Sequence, residues 1–418
     1  MDQMDSYFFS EALLPQGWQS NVRLEINNGV IQQVQTEVEP HAQDQRMGVV
    51  IAAMPNCHSH VFQRAMAGQA EYRSAAQDDF WSWRRHMYEL ANRITLDDIY
   101  NIAKATYEEM FKAGYACVCE FHYIHRALDN ASDYWSMSDA ILQAAADVGI
   151  GLTLLPVLYS YAGLGNQPLL PEQQRFGLSV NEYLQLLDKL NSQMRPGQRL
   201  GVCFHSIRAV SGPQMHQVLA EVASGTPIHI HIAEQQAEVN QALDFYNKRP
   251  VDWLLSEFSI DHNWCLVHAT HVNAYEQERL VESGAIAGLC PITEANLGDG
   301  IFPLKSYLEF GGRFAIGSDS HVEINPAAEL KMLEYSQRLH HQQRNVACDQ
   351  NYNHVGSFLW QQANAGGVTS SGLPYAGIQA GECAALVVLD SEVNSQNSGE
   401  VLLDRWIFSD QVKHHRLL

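Results

Sequence analysis

Residues 47–68 read MGVVIAAMPNCHSHVFQRAMAG, an apolar run that ends on two histidines one residue apart and then presents Gln63 and Arg64. Side chains two positions apart in a strand point to the same side. His58 and His60 at the end of a buried strand can therefore meet one ion. The competing reading is a pair of solvated loop histidines in a chain that carries 19 histidines. What the other strands end on decides between the two.

From residue 49 onward, short apolar or β-branched runs alternate with helical patterns, the signature of βα units around a parallel sheet. The runs are VVIAAMPNCHSH (49–60), YACVCEFHY (115–123), IGLTLLPVLY (150–159), LGVCFHSIR (200–208), PIHIHIAE (227–234), WCLVHATHV (264–272), AIAGLCPITE (285–294) and RFAIGSDSH (313–321). Eight such strands close a (β/α)8 TIM-type barrel, and strands buried on both faces read this continuously apolar. Between them, 95–114, 136–149 and 180–194 carry helical periodicity, the first ending on Gly114. Two longer irregular insertions, 61–94 and 160–178, follow the first and third strands, and insertions of that length usually have a function.

Outside the barrel the pattern changes. Residues 22–38, VRLEINNGVIQQVQTEV, alternate around an Asn-Gly turn, and ALVVLD (385–390) and DRWIFSD (404–410) resume near the other end. This divides the α/β chain into a barrel over 49–369 and a small β-sandwich domain built from 1–48 and 370–418.

The 418 residues carry a formal net charge of -21 and no Lys/Arg run, which argues against a nucleic-acid partner. An anionic substrate must then meet locally placed arginines. The N-terminus MDQMDSYFFSEALL lacks the features of a signal peptide, and no stretch approaches the length of a membrane span. The expectation is a cytoplasmic protein with no membrane partner. The eight cysteines form no CxxC pair, and Cys117, Cys119, Cys203, Cys265 and Cys290 fall in strand-like runs, where buried reduced thiols are expected.

Catalytic groups of such barrels collect at the C-terminal ends of the strands. Strand one ends on His58 and His60, strand five on His229, His231 and then Glu234, strand six on His268 and His271, and strand eight on Asp319. Imidazoles with a carboxylate suit zinc or another first-row divalent ion such as iron. His229 lies deeper in its strand and reads as a packed core residue, and His271 as part of the following loop. His321 reads as a loop-orienting or solvent-facing group. His122, His125, His340, His341, His414 and His415 read as surface residues.

The order HxH, His, His, Asp after strands one, five, six and eight resembles the amidohydrolase superfamily, whose barrel is flanked by a β-domain from both termini. Within it, PNCHSHVFQRAMAG (55–68), HSIRAV (205–210), HIHIAEQ (229–235), LVHATHV (266–272), CPITEANLGDG (290–300) and IGSDSH (316–321) resemble the formimidoylglutamate deiminases of histidine degradation. Two departures stand out. Strand four ends FHSIR and offers no lysine of the kind that bridges two metals, which favours one ion. GECAALVVLD (381–390) has Ala385 where the family usually has Asp.

The resemblance implies hydrolysis of N-formimino-L-glutamate to N-formyl-L-glutamate and ammonia by a water that one divalent ion activates, most simply zinc, with iron(II) in its place as the other choice. His58, His60, His231 and Asp319 would hold the ion, and Asp319 would also take the water's proton. Glu234 would carry a proton to the leaving nitrogen, although a helix-start carboxylate is the structural alternative. His268 would orient the tetrahedral intermediate or serve as a fifth ligand. Gln63, Arg84, Tyr123 and Arg208 would bind the dianionic substrate, with Arg85 as the rival to Arg84 and a rim salt bridge as the rival role for Arg208. A homodimer is implied by the resemblance alone. The other functional readings are a deaminase or chlorohydrolase acting on a purine or triazine ring, which would want stacking aromatics where this chain has arginines, and an inactive metal-binding barrel, which would not need both Glu234 and Asp319.

Overall fold

Alternating residues of β1 (Asp5–Leu14) and β2 (Gly17–Asn27) pair antiparallel, and Asn28 and Gly29, at φ 49° and 74°, turn the chain tightly into β3 (Val30–Gln35). Left-handed values at both turn positions match the twist of a two-residue hairpin. β4 (Gln45–Ala52) adds parallel to β1, so that Phe9, Val22, Leu24, Val50 and their neighbours form one buried cluster. The computed structural model describes residues 4–69, 71, 80–349, 352–390, 398–409 and 412–417, so residues 70 and 72–79 of the first long insertion lie outside the described residues.

The barrel follows in chain order as β5 (Met54–Ser59), β6 (Tyr115–His122), β7 (Gly151–Leu158) with the short β8 (Gln198–Leu200) beside it, β9 (Val202–Ser206), β10 (Ile228–Ile232), β11 (Trp264–His268), β12 (Ile286–Leu289) and β13 (Phe314–Ile316). All but β8 lie side by side in the order β5-β6-β7-β9-β10-β11-β12-β13, every pair parallel. The ring closes where Ser59 bridges Asp319, with the His60 N–H donating to the Asp319 carbonyl at 3.0 Å and the Asp319 N–H to the His58 carbonyl at 3.1 Å. A Cβ on Gly317 would stand 2.7 Å from the His58 Cβ, closer than side-chain carbons approach, so closure at this seam requires the glycine. Each of the eight runs supplies a barrel strand, but the first needs correction. The run at 49–60 is not one strand: Val49–Ala52 belongs to β4 of the terminal sheet, and only Met54–Ser59 enters the barrel. Both halves are buried, so apolar composition does not mark where the chain leaves one sheet for another.

The predicted helices form at Leu96–Ala113, Ser136–Val148 and Val180–Asn191. Thr95 with Asp98 and Ser179 with Glu182 make capping boxes at two of the starts. After the barrel, β14 (Leu386–Asp390) pairs with β4, and β15 (Lys413–Arg416) completes the terminal sheet in the order β15-β14-β4-β1-β2-β3. The strands of both termini share this one sheet, which curls back where Val30 bridges Cys383 just before β14. Residues 404–409 of the DRWIFSD segment, read as a strand, instead lie in a helix, Gly399–Ser409, and Asp410 lies outside the described residues; the buried Leu402, Leu403, Trp406 and Ile407 fall on one helical face, with Trp406 against Trp360. None of the eight cysteines is in a disulfide, and the five expected to be buried are. Among the described residues, no helix is long and apolar enough to cross a membrane.

One buried ion pair pins the terminal sheet. Arg23 Nε stands 3.0 Å from Asp44 Oδ2, and the Ser6 hydroxyl and the His41 N–H also donate to that carboxylate. Burial opposes its charge, but these donors and the guanidinium hold the Asp44 carboxyl down at about 2. A carboxyl depressed in the folded state contributes stability above its unfolded value of about 4, and that contribution is lost as pH falls toward the folded one. Asp44→Asn is therefore expected to melt below the wild type at neutral pH, with the gap shrinking as pH falls from about 4 to about 2; thermal unfolding curves across that range check it.

Candidate active site

Three of the strand ends that carry the site bend through left-handed backbone: Ala233 (φ 51°) after β10, His268 (φ 67°) and Ala269 (φ 48°) at β11, and Asp319 (φ 43°) beyond β13. Such conformations in non-glycine residues cost about 1 kcal/mol or more each and persist where surrounding contacts over-determine them. Here they turn the side chains of Glu234, His268 and Asp319 inward over the barrel mouth.

The donor atoms converge tightly. His58 Nε2 lies 3.2 Å from His60 Nε2, 3.1 Å from His231 Nε2 and 3.4 Å from Asp319 Oδ1, and His60 Nε2 lies 3.5 Å from Asp319 Oδ1. Four ligands at about 2.0–2.1 Å around a tetrahedral ion stand about 3.4 Å apart. Those four separations match that spacing, and the ligand atoms that lie within 4.8 Å of one another form two triads sharing His58: His58 with His60 and Asp319, and His58 with His231 and His268. His60 Nδ1 lies 2.8 Å from the Phe121 carbonyl and His231 Nδ1 3.1 Å from the His205 carbonyl. Those carbonyls accept only a protonated Nδ1, which leaves each Nε2 lone pair aimed at the common point. Burial pushes His58 down to about 3 and holds His60 and His231 below the ordinary histidine range. Burial works against the charge on Asp319, yet the hydrogen bond from His58 and the neighbouring His58, His268 and His60 rings keep its carboxyl below the usual range. Neutral imidazoles with an ionised carboxylate are the donor set a divalent cation requires.

His268 borders this cluster, with a ring nitrogen within 4.8 Å of those of His58 and His231. Its Nε2 is 3.8 Å from both Asp319 Oδ2 and Glu234 Oε1, and its Nδ1 is 3.3 Å from Glu294 Oε1. Burial lowers the imidazole, but Glu234, Glu294 and Asp319 around it raise it to about 10. Burial raises Glu234 in turn. The structure so pairs a buried carboxyl and a buried imidazole beside the convergence point, an arrangement able to move a proton.

One cavity gathers Gln63, Arg84, Tyr123, Arg208, Glu234, His268 and Asp319 with His60 and His231, and adds Trp83, Met87, His205 and Leu297 to its wall. Of the predicted site residues, only His58 does not line it, being fully buried beneath. Arg84 Nη2 donates to the Tyr159 hydroxyl at 3.2 Å, while Arg85 is exposed, so the cavity receives the first of the two arginines. Arg208 lines the cavity and also pairs with Glu238, Nε to Oε2 at 3.8 Å, so the rim salt bridge does not withdraw it from the cavity wall. Glu238 further accepts the Ala233 N–H at 3.1 Å and thereby ties the residue before Glu234 to Arg208. Gln63 Nε2 donates to the Tyr123 hydroxyl at 3.0 Å, and its buried Oε1 has no protein partner among the described residues.

Four further histidines are buried. His321 is buried, and its Nε2 meets the Ser59 hydroxyl at 3.0 Å, so it orients the strand between the two ligands instead of facing solvent. His122 and His125, read as surface residues, are buried: the first ends the wholly buried β6, and the second reaches the Val157 carbonyl at 2.8 Å. Polar residue type misled the reading where the insertion at 160–178 covers them. His229, as expected, is packed in the core, with its Nε2 2.9 Å from the Ser370 carbonyl. Sequence reasoning missed Glu120, whose carboxylate takes the Ser59 hydroxyl and the Val61 N–H at 2.9 Å and so braces both sides of His60; one glutamate inside an apolar strand was its only signal. It also missed Glu294 and Glu238, which lie at helix starts where carboxylates are common.

The amidohydrolase family model matches residues 49–411, and the model of the formimidoylglutamate deiminase N-terminal domain matches residues 4–48. A formimidoylglutamate deiminase of Pseudomonas aeruginosa is 45% identical over 97% of this chain and 91% of its own. The crystal structure of an amidohydrolase from Brucella melitensis superimposes with a TM-score of 0.94 at 41% identity, over 99% of this chain and 92% of that one. An atrazine chlorohydrolase from Arthrobacter aurescens, complexed with zinc, superimposes with a TM-score of 0.80 over 97% of this chain and 93% of its own, but at 16% identity it shares the fold alone. With the family models spanning the barrel and the N-terminal strands, this chain belongs to the amidohydrolase family, in its formimidoylglutamate deiminase branch.

Proposed function

We propose that this chain hydrolyses N-formimino-L-glutamate to N-formyl-L-glutamate and ammonia, a deimination step of histidine degradation. The observation that carries the reading is the single cavity in which two guanidinium groups, Arg84 and Arg208, share walls with the His60, His231, Asp319 and Glu234 side chains. Two fixed cations in a chain of net charge -21 select a small dianion, and the guanidinium fork matches a carboxylate bidentately.

His58, His60, His231 and Asp319 would hold one divalent ion, and three imidazoles with a carboxylate suit zinc. Such an ion, when bound, supplies a water whose pKa is lowered to about 7. Asp319 orients that water and takes its proton as the oxygen bonds to the formimino carbon. The carbon becomes tetrahedral, and His268, held by Glu294, steadies the charge that develops there. Glu234 delivers one proton to the terminal nitrogen, which becomes an amino group, and the proton held by Asp319 follows; the carbon–nitrogen bond breaks, ammonia leaves, and the remaining hydroxyl proton returns to Glu234 as the carbonyl of the formyl product forms. Gln63 and Tyr123 fix the formimino end between the arginines.

Ammonia release from N-formimino-L-glutamate by the purified, metal-loaded protein tests the reading, with N-formimino-L-aspartate and guanine as comparators. The expected result is fast turnover of the glutamate compound, abolished by a chelator and restored by zinc. Consumption of the ring substrate with no turnover of the formimino compounds would overturn it and leave only the barrel and its ligands standing.

A further inference from the structure

The helix Phe80–Ala91, which carries Arg84, rests on the second long insertion. The Glu172 carbonyl accepts the Asn92 amide at 2.8 Å, and Arg175 donates to the carbonyls of Ala91 and, at 3.0 Å, Ile94. Between these anchors sits Gln173, only 1% exposed. Its Oε1 accepts the Leu170 N–H at 2.9 Å, which fixes the amide orientation, and its Nε2 lies 3.0 Å from both the Tyr88 and the Tyr159 hydroxyls. Both tyrosines contact Arg84: its Nη2 donates to the Tyr159 hydroxyl, and its Cζ lies 5.0 Å from the centre of the Tyr88 ring. A primary amide has two N–H groups, enough to set two hydroxyl oxygens at once.

We propose that Gln173 is a positioning residue for substrate selection, which aims the Arg84 guanidinium at a substrate carboxylate by fixing Tyr88 and Tyr159. It touches no substrate itself. The inference rests on the dianion reading above and deepens it, because it gives the insertion at 160–178 a role in specificity through a residue that does not line the cavity. Arg84 swings more freely when the two hydroxyls lose their common donor, and binding then weakens while the chemistry at the formimino carbon proceeds.

A double-mutant cycle tests this. Gln173→Met keeps the volume and removes the donors; it is expected to raise the KM for N-formimino-L-glutamate about tenfold and to leave kcat within about twofold. In an Arg84→Met background, the same change is expected to add nothing, because the group it positions is gone. Should the methionine variant fail to fold, Gln173→Glu, which keeps the acceptor for the Leu170 N–H, runs the same cycle. An equal rise in KM in both backgrounds, or no rise in either, overturns the inference, the first outcome marking Gln173 as a general brace of the loop. Wild-type inactivity toward formiminoglutamate overturns this proposal and the proposed function together, whereas additivity in an active series overturns this proposal alone.

Discussion

Asp319→Asn is expected to lower kcat about ten-thousand-fold, with far less effect on substrate affinity. Two functions end together. The asparagine amide keeps the volume but lacks the charge that answers three neutral imidazoles around a cation, and it cannot accept the proton of the attacking water. General-base contributions of about 10²–10⁴ are usual, and a weakened ion adds to that. The left-handed backbone at Asp319 matters as well, because asparagine tolerates that region as readily as aspartate, so the fold at the barrel seam is expected to survive. Steady-state kinetics with a parallel measurement of bound zinc checks the result. Undiminished turnover by the variant would remove Asp319 from the reaction.

The second large effect belongs to Arg208. Arg208→Met is expected to raise KM about a hundredfold while kcat falls only a few-fold and the bound-metal content is unchanged. Loss of one partner from a buried, charge-assisted contact costs about 2–5 kcal/mol, and the methionine keeps much of the arginine's length and apolar contact. Glu238 is then left buried without its cation, and burial already raises its carboxyl, so it takes up a proton at modest cost to stability. An unchanged KM would break the link between the arginines and the substrate's carboxylates. A large fall in kcat at constant KM would instead show that Glu238 conveys the loss to Glu234 through the Ala233 N–H.

Much of this site was legible in the sequence because barrel strands end in fixed places. His58 and His60 share a side through strand periodicity alone, and the strands that deliver His231, His268 and Asp319 could be read as continuous apolar runs. Burial of a parallel sheet on both faces makes its strands conspicuous and puts their ends in a ring, so residue type at a strand end translates directly into position. The same property hid the joint at Ala53, where one buried strand gives way to another, and short apolar spacing in DRWIFSD did not distinguish a strand from the helix that packs Trp406 on Trp360. Tertiary structure alone decided three further things. It chose Arg84 over Arg85, because helix phase within a long insertion depends on what the helix packs against. It buried His122, His125 and His321 through neighbours remote in sequence. It also joined Gln173, Glu238, Glu120 and Glu294 to the site through contacts across 14 to 85 residues for Gln173, 5 and 30 for Glu238, 59 and 61 for Glu120, and 26 for Glu294. Which chemistry converges at the barrel mouth follows from residue type and strand order, both local properties of the chain; which side chains hold that chemistry in place depends on the folded chain, since support comes from whatever surface the closed barrel brings alongside.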